Sequence, residues 1–161
     1  MLILKIMYHL QAIVCMMLLK LIYQFGGGKL TVGKSVTFRK GFSLMIDKNG
    51  EAIIGNNVFF NNYCSINANE RITIGDGTLF GENVKVYDHN HCYKNLDVPI
   101  KEQGFTTAPV KIGKHCWIAS NVVILKGVTI GDNCVIGAGC IVYKDVPSNT
   151  VMVNKQEHIL K

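Results

Sequence analysis

Two histidines stand two residues apart in Asp88-His89-Asn90-His91, and these are the side chains in the sequence best placed to do chemistry. An imidazole titrates near neutral pH, so it can take a proton from a hydroxyl or amine as that group attacks an electrophile. The same two rings could hold zinc if a third histidine joined them. The remaining histidines are His9, His115 and His158. Six cysteines fall at 15, 64, 92, 116, 134 and 140. None forms a C-x-x-C pair, so neither a zinc ribbon nor a thioredoxin motif is present.

The histidines need a rigid support, and the sequence around them supplies one with a period of six. Isoleucine or valine recurs at Ile112, Ile118, Ile124, Ile130, Ile136 and Val142. Four residues after each comes a small apolar residue: Cys116, Val122, Val128, Cys134, Cys140 and Val146. The same phase runs earlier through Val32, Phe38 and Leu44, then Ile54, Phe60 and Ile66, then Ile74, Phe80 and Val86. A helix repeats its apolar face every 3.6 residues, so a period of six excludes one. Short strands joined by turns explain the pattern. Three hexads make one triangular coil, and coils stack about 4.8 Å apart. The period slips at three places: Leu44 to Ile54, Ile66 to Ile74, and Val86 to Ile112. The last slip leaves a loop over 87–109, and it holds both histidines. Long ordered loops on a rigid frame tend to carry function.

Ahead of the repeat, residues 1–25 read as a strongly apolar helix with a thin polar arc formed by Lys5, His9, Lys20 and Gln24. Only fourteen residues separate Lys5 from Lys20, short of the roughly 20 that span a bilayer. No A-x-A-like site follows, so a cleaved signal peptide is not expected. Such a helix either packs on its own body and on sister subunits or lies in a membrane interface. Gly26-Gly27-Gly28 with Lys29 reads as a hinge over 26–29, with the repeat domain over 30–153 and a short tail over 154–161. The net charge of +6 is concentrated at the N-terminus, where no acid precedes Asp47. From Asp47 onward eleven basic side chains balance eleven acidic ones, and the chain has only two arginines. Nucleic acid is therefore not the expected partner. The chain of 161 residues has room for one core, and its 48% hydrophobic and 17% charged residues exclude a disordered segment.

The repeat resembles the hexapeptide-repeat family, and that resemblance implies a left-handed parallel β-helix: an all-β solenoid with an N-terminal α-helix. The segment APVKIGKHCWIASNVVILKGVTIGDNCVIGAGCIVYKDVP, from Ala108 to Pro147, is similar to the C-terminal coils of acetyl-coenzyme A-dependent transferases of the maltose and galactoside type. The loop signature VYDHNH, followed by IKEQGF and APV, most resembles the polysaccharide O-acetyltransferase branch. The resemblance implies His91 as the catalytic base, with His89 as the neighbouring alternative, and Asn61 as a second catalytic residue that helps the acceptor and the developing charge. It also implies that Ser120 turns its backbone amide to the thioester oxygen and that Trp117 lies beside the pantetheine arm or acceptor. Ala138, Tyr143 and Lys144 would line the coenzyme groove. The usual G-x-P-A-[KR] after the last coil is replaced by Val153-Asn154-Lys155-Gln156-Glu157, which leaves Lys155 as a basic contact for phosphate. The implied co-substrate is acetyl-CoA without a metal, the implied acceptor a sugar or polysaccharide, and the implied assembly a homotrimer. An amino-sugar N-acyltransferase and a serine acetyltransferase are the rivals within the fold. A zinc enzyme resembling the gamma carbonic anhydrases is the rival from another class.

Taken without the resemblance, the same residues have plainer readings. Asn61 is a turn residue, Trp117 an exposed packing residue, His115 a solvated turn residue, and Lys111 and Lys114 a solvated face. Cys64, Cys116, Cys134 and Cys140 sit four after the aliphatic position, where a narrow interior demands a compact hydrophobe. Reduced interior thiols match a cytoplasmic protein, and the apolar helix adds peripheral contact with the inner membrane face as an expectation.

Overall fold

The computed structural model describes residues 2–155, with side-chain surroundings from residue 6 onward. The Lys5 side chain, His158 and residues 156–161 of the expected tail lie outside the described residues. The hexads fold as expected into short parallel strands that stack into three flat faces. Face A holds β1 (Lys29–Val32), β4 (Glu51–Ile54), β7 (Arg71–Ile74), β12 (Val110–Ile112) and β15 (Thr129–Ile130). Face B holds β2 (Thr37–Phe38), β5 (Phe59–Phe60), β8 (Leu79–Phe80), β13 (Trp117–Ile118), β16 (Val135–Ile136) and β18 (Val151–Met152). Face C holds β3 (Ser43–Ile46), β6 (Ser65–Ala68), β9 (Lys85–Tyr87), β14 (Val123–Ile124) and β17 (Ile141–Val142). Five strands deep on faces A and C, the solenoid makes about five turns. The slips at Leu44 and Ile66 become longer four-residue strands on faces A and C of the early coils.

The repeat works because each inward column stacks like on like. Ile54, Ile74, Ile112 and Ile130 form one column, and Phe60 and Phe80 sit fully buried in another. The ring centroids of Phe60 and Phe80 lie 4.7 Å apart, and Phe42 packs on Phe60 at the same distance. Corners turn through left-handed residues, of which Asn57, Asn83, Asn121, Asn133 and Asn149 accept the conformation at low cost. Gly75 is required for space: a Cβ there would meet the carbonyl carbon of Gly113 at 2.6 Å. The four interior cysteines are buried as expected. Cys64 donates to the Gly81 carbonyl at 3.1 Å, and Cys116 to that of Gly131 at 3.1 Å.

The N-terminal helix α1 (Leu2–Gly26) closes the open end of the first coil. Ala12 and Met16 enter the core, and Cys15, Leu19 and Tyr23 pack against it. The Tyr23 hydroxyl donates to the Leu44 carbonyl at 2.9 Å and accepts from the Ile46 N–H at 3.1 Å. One expectation changes here. The apolar stretch over Ile6–Gly26, Lys20 included, is long and apolar enough to cross a membrane by length and composition, because one lysine in a long helix lowers the mean hydropathy little. The glycines over 26–29, expected as a hinge, form a bend in this structure. Gly26 ends the helix, Gly27 and Gly28 take positive φ, the Gly28 N–H donates to the Lys48 carbonyl at 2.7 Å, and Lys29 already begins β1.

Phe60→Ala should cost about 3–5 kcal/mol in a chemical denaturation, since it empties the centre of a stacked column. Burial pushes the Cys64, Cys116 and Cys140 thiols above their ordinary value of 9.0. The folded protein therefore holds thiol protons that the unfolded chain releases. Stability should be untouched by these groups below pH 9.0 and should fall as pH rises past it. Denaturation midpoints across that range test the sign, and substitution of the three cysteines by alanine should flatten the slope.

Candidate active site

The long insertion leaves the solenoid after β9 at the corner between faces C and A, and it rejoins at β12. Within it, β10 (His89–His91) pairs antiparallel with β11 (Phe105–Thr107), placing His91 opposite Phe105. The Gln103 side chain ties the far end of the loop, donating to the carbonyls of Asn95 and Val98 at 2.7 Å each. The expected loop over 87–109 is thus a built platform.

Asp88 anchors it. Its carboxylate is fully buried and accepts from the N–H groups of Asn69 and Glu70 at 2.8 Å each. These two amides belong to the corner of the coil before, and the carboxylate satisfies them where the chain departs. The same carboxylate meets His89 Nδ1 at 3.1 Å. His89 is held half-buried, with its ring edge-on to Phe105 at 5.1 Å between centroids. His91 is exposed, packs on Phe105 at 4.5 Å, and lines an open cleft of about 730 Å³. Cys92, Lys94, Gln103 and Lys126 line the same cleft.

The other expected residues fall into two groups. Tyr143 and Lys144 are exposed at the C–A corner, directly after β17, on the side from which the loop leaves. Asn61, Ser120 and Ala138 occupy the B–C corner, and Trp117 projects from face B with half its surface exposed. Face C stands between the two groups, so one chain does not bring His91 to Asn61. The Asn61 Oδ1 accepts from Arg39 Nη1 at 3.2 Å and from the Asn62 N–H at 2.9 Å. Tyr63, which sequence reasoning passed over, follows on the same corner at a φ of 61° with its ring against Gly41.

Ser120 carries a feature visible only in the stack. Its hydroxyl accepts from the Glu82 N–H at 3.1 Å, which is how the corner amides of one coil are capped by the next. The residue that follows Ser120 in that column is Ala138, whose methyl cannot cap. Among the described residues the Ser120 N–H has no acceptor. No group of three histidine, cysteine or acidic residues stands at metal-holding spacing among the described residues.

Asp88→Ala should leave the Asn69 and Glu70 amides without a partner, costing about 1–3 kcal/mol for each unmade bond. Faster hydrogen exchange at those two amides, with a lower denaturation midpoint, is the expected outcome.

Residues 109–144 match the family described as bacterial transferase hexapeptide, six repeats. A protein of Escherichia coli strain K12 that carries the name of a lipopolysaccharide biosynthesis O-acetyl transferase, WbbJ, is 33% identical over 83% of this chain and 72% of its own length. Galactoside O-acetyltransferase of the same organism is 42% identical over 61% of this chain, which spans about half of it, 47%. A hexapeptide-repeat acetyltransferase of Vibrio cholerae, crystallised with acetyl coenzyme A, superposes with a TM-score of 0.64 at 30% identity, over 76% of this chain and 64% of that one. With the repeat, the three-faced solenoid and these relatives in agreement, the chain belongs to the hexapeptide-repeat acyltransferase family.

Proposed function

We propose that the chain transfers an acetyl group from acetyl-coenzyme A to a hydroxyl of a sugar or polysaccharide, at a site completed between copies of a homotrimer. The observation that carries this reading is the split of the site residues across face C. One corner offers a loop bearing an imidazole, and the other offers an uncapped Ser120 N–H beside Asn61. A second copy that sets its B–C corner against the loop would bring the halves together. Acetyl coenzyme A bound to the similar Vibrio enzyme supports the donor. The names of the galactoside and lipopolysaccharide relatives support a sugar hydroxyl.

In this reading His91 takes the proton of the acceptor hydroxyl as its oxygen attacks the thioester carbonyl. A C–O bond forms, and the oxyanion is met by the Ser120 N–H and the amide of Asn61. The C–S bond then breaks, and the imidazolium returns the proton to the departing thiolate. Trp117, Ala138, Tyr143 and Lys144 line the path of the coenzyme. The Asp88–His89 bond favours a second reading, in which His89 is the base and Asp88 orients its ring as in other carboxylate–histidine pairs.

Thiol release from acetyl-coenzyme A, screened against hydroxyl and amino sugars, tests the activity. Release with amino sugars alone would turn the reading to N-acyl transfer, and a fully active monomer by light scattering would overturn the shared site. His91→Ala should lower turnover by about 10² to 10⁴, with coenzyme binding retained, while Cys92→Ala changes almost nothing. A dead His89→Ala beside an active His91→Ala would establish the second reading. Ala138→Ser should cap the Ser120 N–H and lower kcat by about 10² to 10³, the worth of one oxyanion donor.

A further inference from the structure

We propose that the outward face of α1 docks on an anionic lipid bilayer, with the helix lying in the interface and the coils extending away from it. Outside its thin polar arc the helix is apolar, and the structure uses only one side of it. Ala12, Cys15, Met16, Leu19 and Tyr23 face the first coil. The opposite side presents Leu10, Val14, Met17, Leu21 and Phe25, with Met17 62% and Phe25 85% exposed. Of the thin polar arc, His9 and Lys20 fall at the edge of the buried sector, and Gln24 lies beside Met17 at the margin of the stripe. A solvent-facing stripe of this size and composition marks an interaction surface.

Charge names the occupant. Lys20, Lys29, Lys34, Arg39 and Lys40 are all exposed around the capped end, and the first acid in the chain is Asp47. Lys20, Lys29 and Lys48 line one cleft of about 950 Å³ between the helix end and the first two coils. Glu51, the acid in that lining, is paired with Arg71 at 2.8 Å. Lys20 Nζ donates to the Val32 carbonyl at 3.1 Å, so these bases lie on the coil side of the helix, and an apolar stripe backed by bases fits acyl chains below a layer of anionic headgroups. A second copy of the chain would set like charges against each other around the same stripe.

The helix is long enough to span, but spanning conflicts with its packing. Withdrawing it would break both Tyr23 hydroxyl bonds and open the interior at Val36, Phe38, Leu44 and Ile46 to water. An interfacial position keeps those contacts and buries the free stripe.

The test is flotation of the full chain with vesicles of phosphatidylcholine containing phosphatidylglycerol, beside vesicles of phosphatidylcholine alone. The Leu10→Glu, Met17→Glu double variant changes only the outward stripe, and an unchanged thermal midpoint would show that its cap is intact. The expected result is that the wild type floats with the anionic vesicles and the variant's bound fraction drops about tenfold or more. Binding should also weaken on neutral vesicles and in high salt. Failure of the wild type to float would overturn the proposal, as would equal flotation of a folded variant. Equal flotation on neutral vesicles would overturn its anionic part. If light scattering without lipid shows an assembly that the variant dissolves, and flotation is absent, the occupant is protein.

Discussion

Every coil draws its backbone partners from the coil beside it, and this ladder governs the rest of the molecule. The N–H of Gly55 donates to the Ile74 carbonyl, that of Gly75 to Ile112 and that of Gly113 to Ile130, each at 2.8 Å. Strand spacing then fixes the distance between coils, and interior side chains must stack in columns of compatible size. Ile74 and Ile112 are neighbours in register although the whole loop lies between them in sequence. Extra residues can leave only at a corner, and they must replace the partners that an uninterrupted coil would have supplied. Asp88 does this for Asn69 and Glu70. The imidazoles sit where they do because that corner is where the ladder is interrupted.

The ladder also has an end. The first coil exposes an interior of Val36, Phe38, Leu44 and Ile46 with no coil beneath it, and α1 covers that surface. A cap needs one apolar side of a helix. This helix has an apolar side to spare, which closing the solenoid does not use.

The fold was legible because the interior admits little variation. A column of isoleucines and phenylalanines at period six has one physical explanation, and the structure follows it from β1 to β18. What stayed hidden depends on which residues meet across coils. The polar arc containing Lys20 suggested how wide the apolar sector of α1 is, but not which part of it touches the coil. That choice falls to Ala12, small enough for close approach, and to Tyr23, whose hydroxyl has two backbone partners. The triple glycine carries the marks of a hinge, while its bond to the Lys48 carbonyl, twenty residues on, is visible only in the structure. His91 and Asn61 were both visible as candidates, while their separation by face C follows only from strand register. Asp88 stood inside the quoted motif without a role, because the amides that it satisfies lie in the preceding coil. Phe105, which holds both histidine rings, is placed by a hairpin that the six-residue period does not describe.

The same logic separates scaffold from site at the corners. A scaffold gains by satisfying each corner amide: Asn56 caps Lys34, Asp132 caps Lys114, Ser148 caps Asp132, and Ser120 caps Glu82. A group that stabilises an oxyanion must instead keep its N–H free until the charge develops. Ser120 caps the coil before it through its hydroxyl, and in the proposed reading its own amide, where the column continues as alanine, meets the oxyanion. Other corner amides also lack a cap: Asp76 at the A–B corner, away from Asn61 and Trp117, and Lys40 and Ala138 in the column of Ser120 itself. An unfilled amide alone would be an ordinary flaw in the ladder. Beside an asparagine and an exposed tryptophan, at the corner that face C separates from the chain's own histidines, it becomes the donor that the proposed shared site requires.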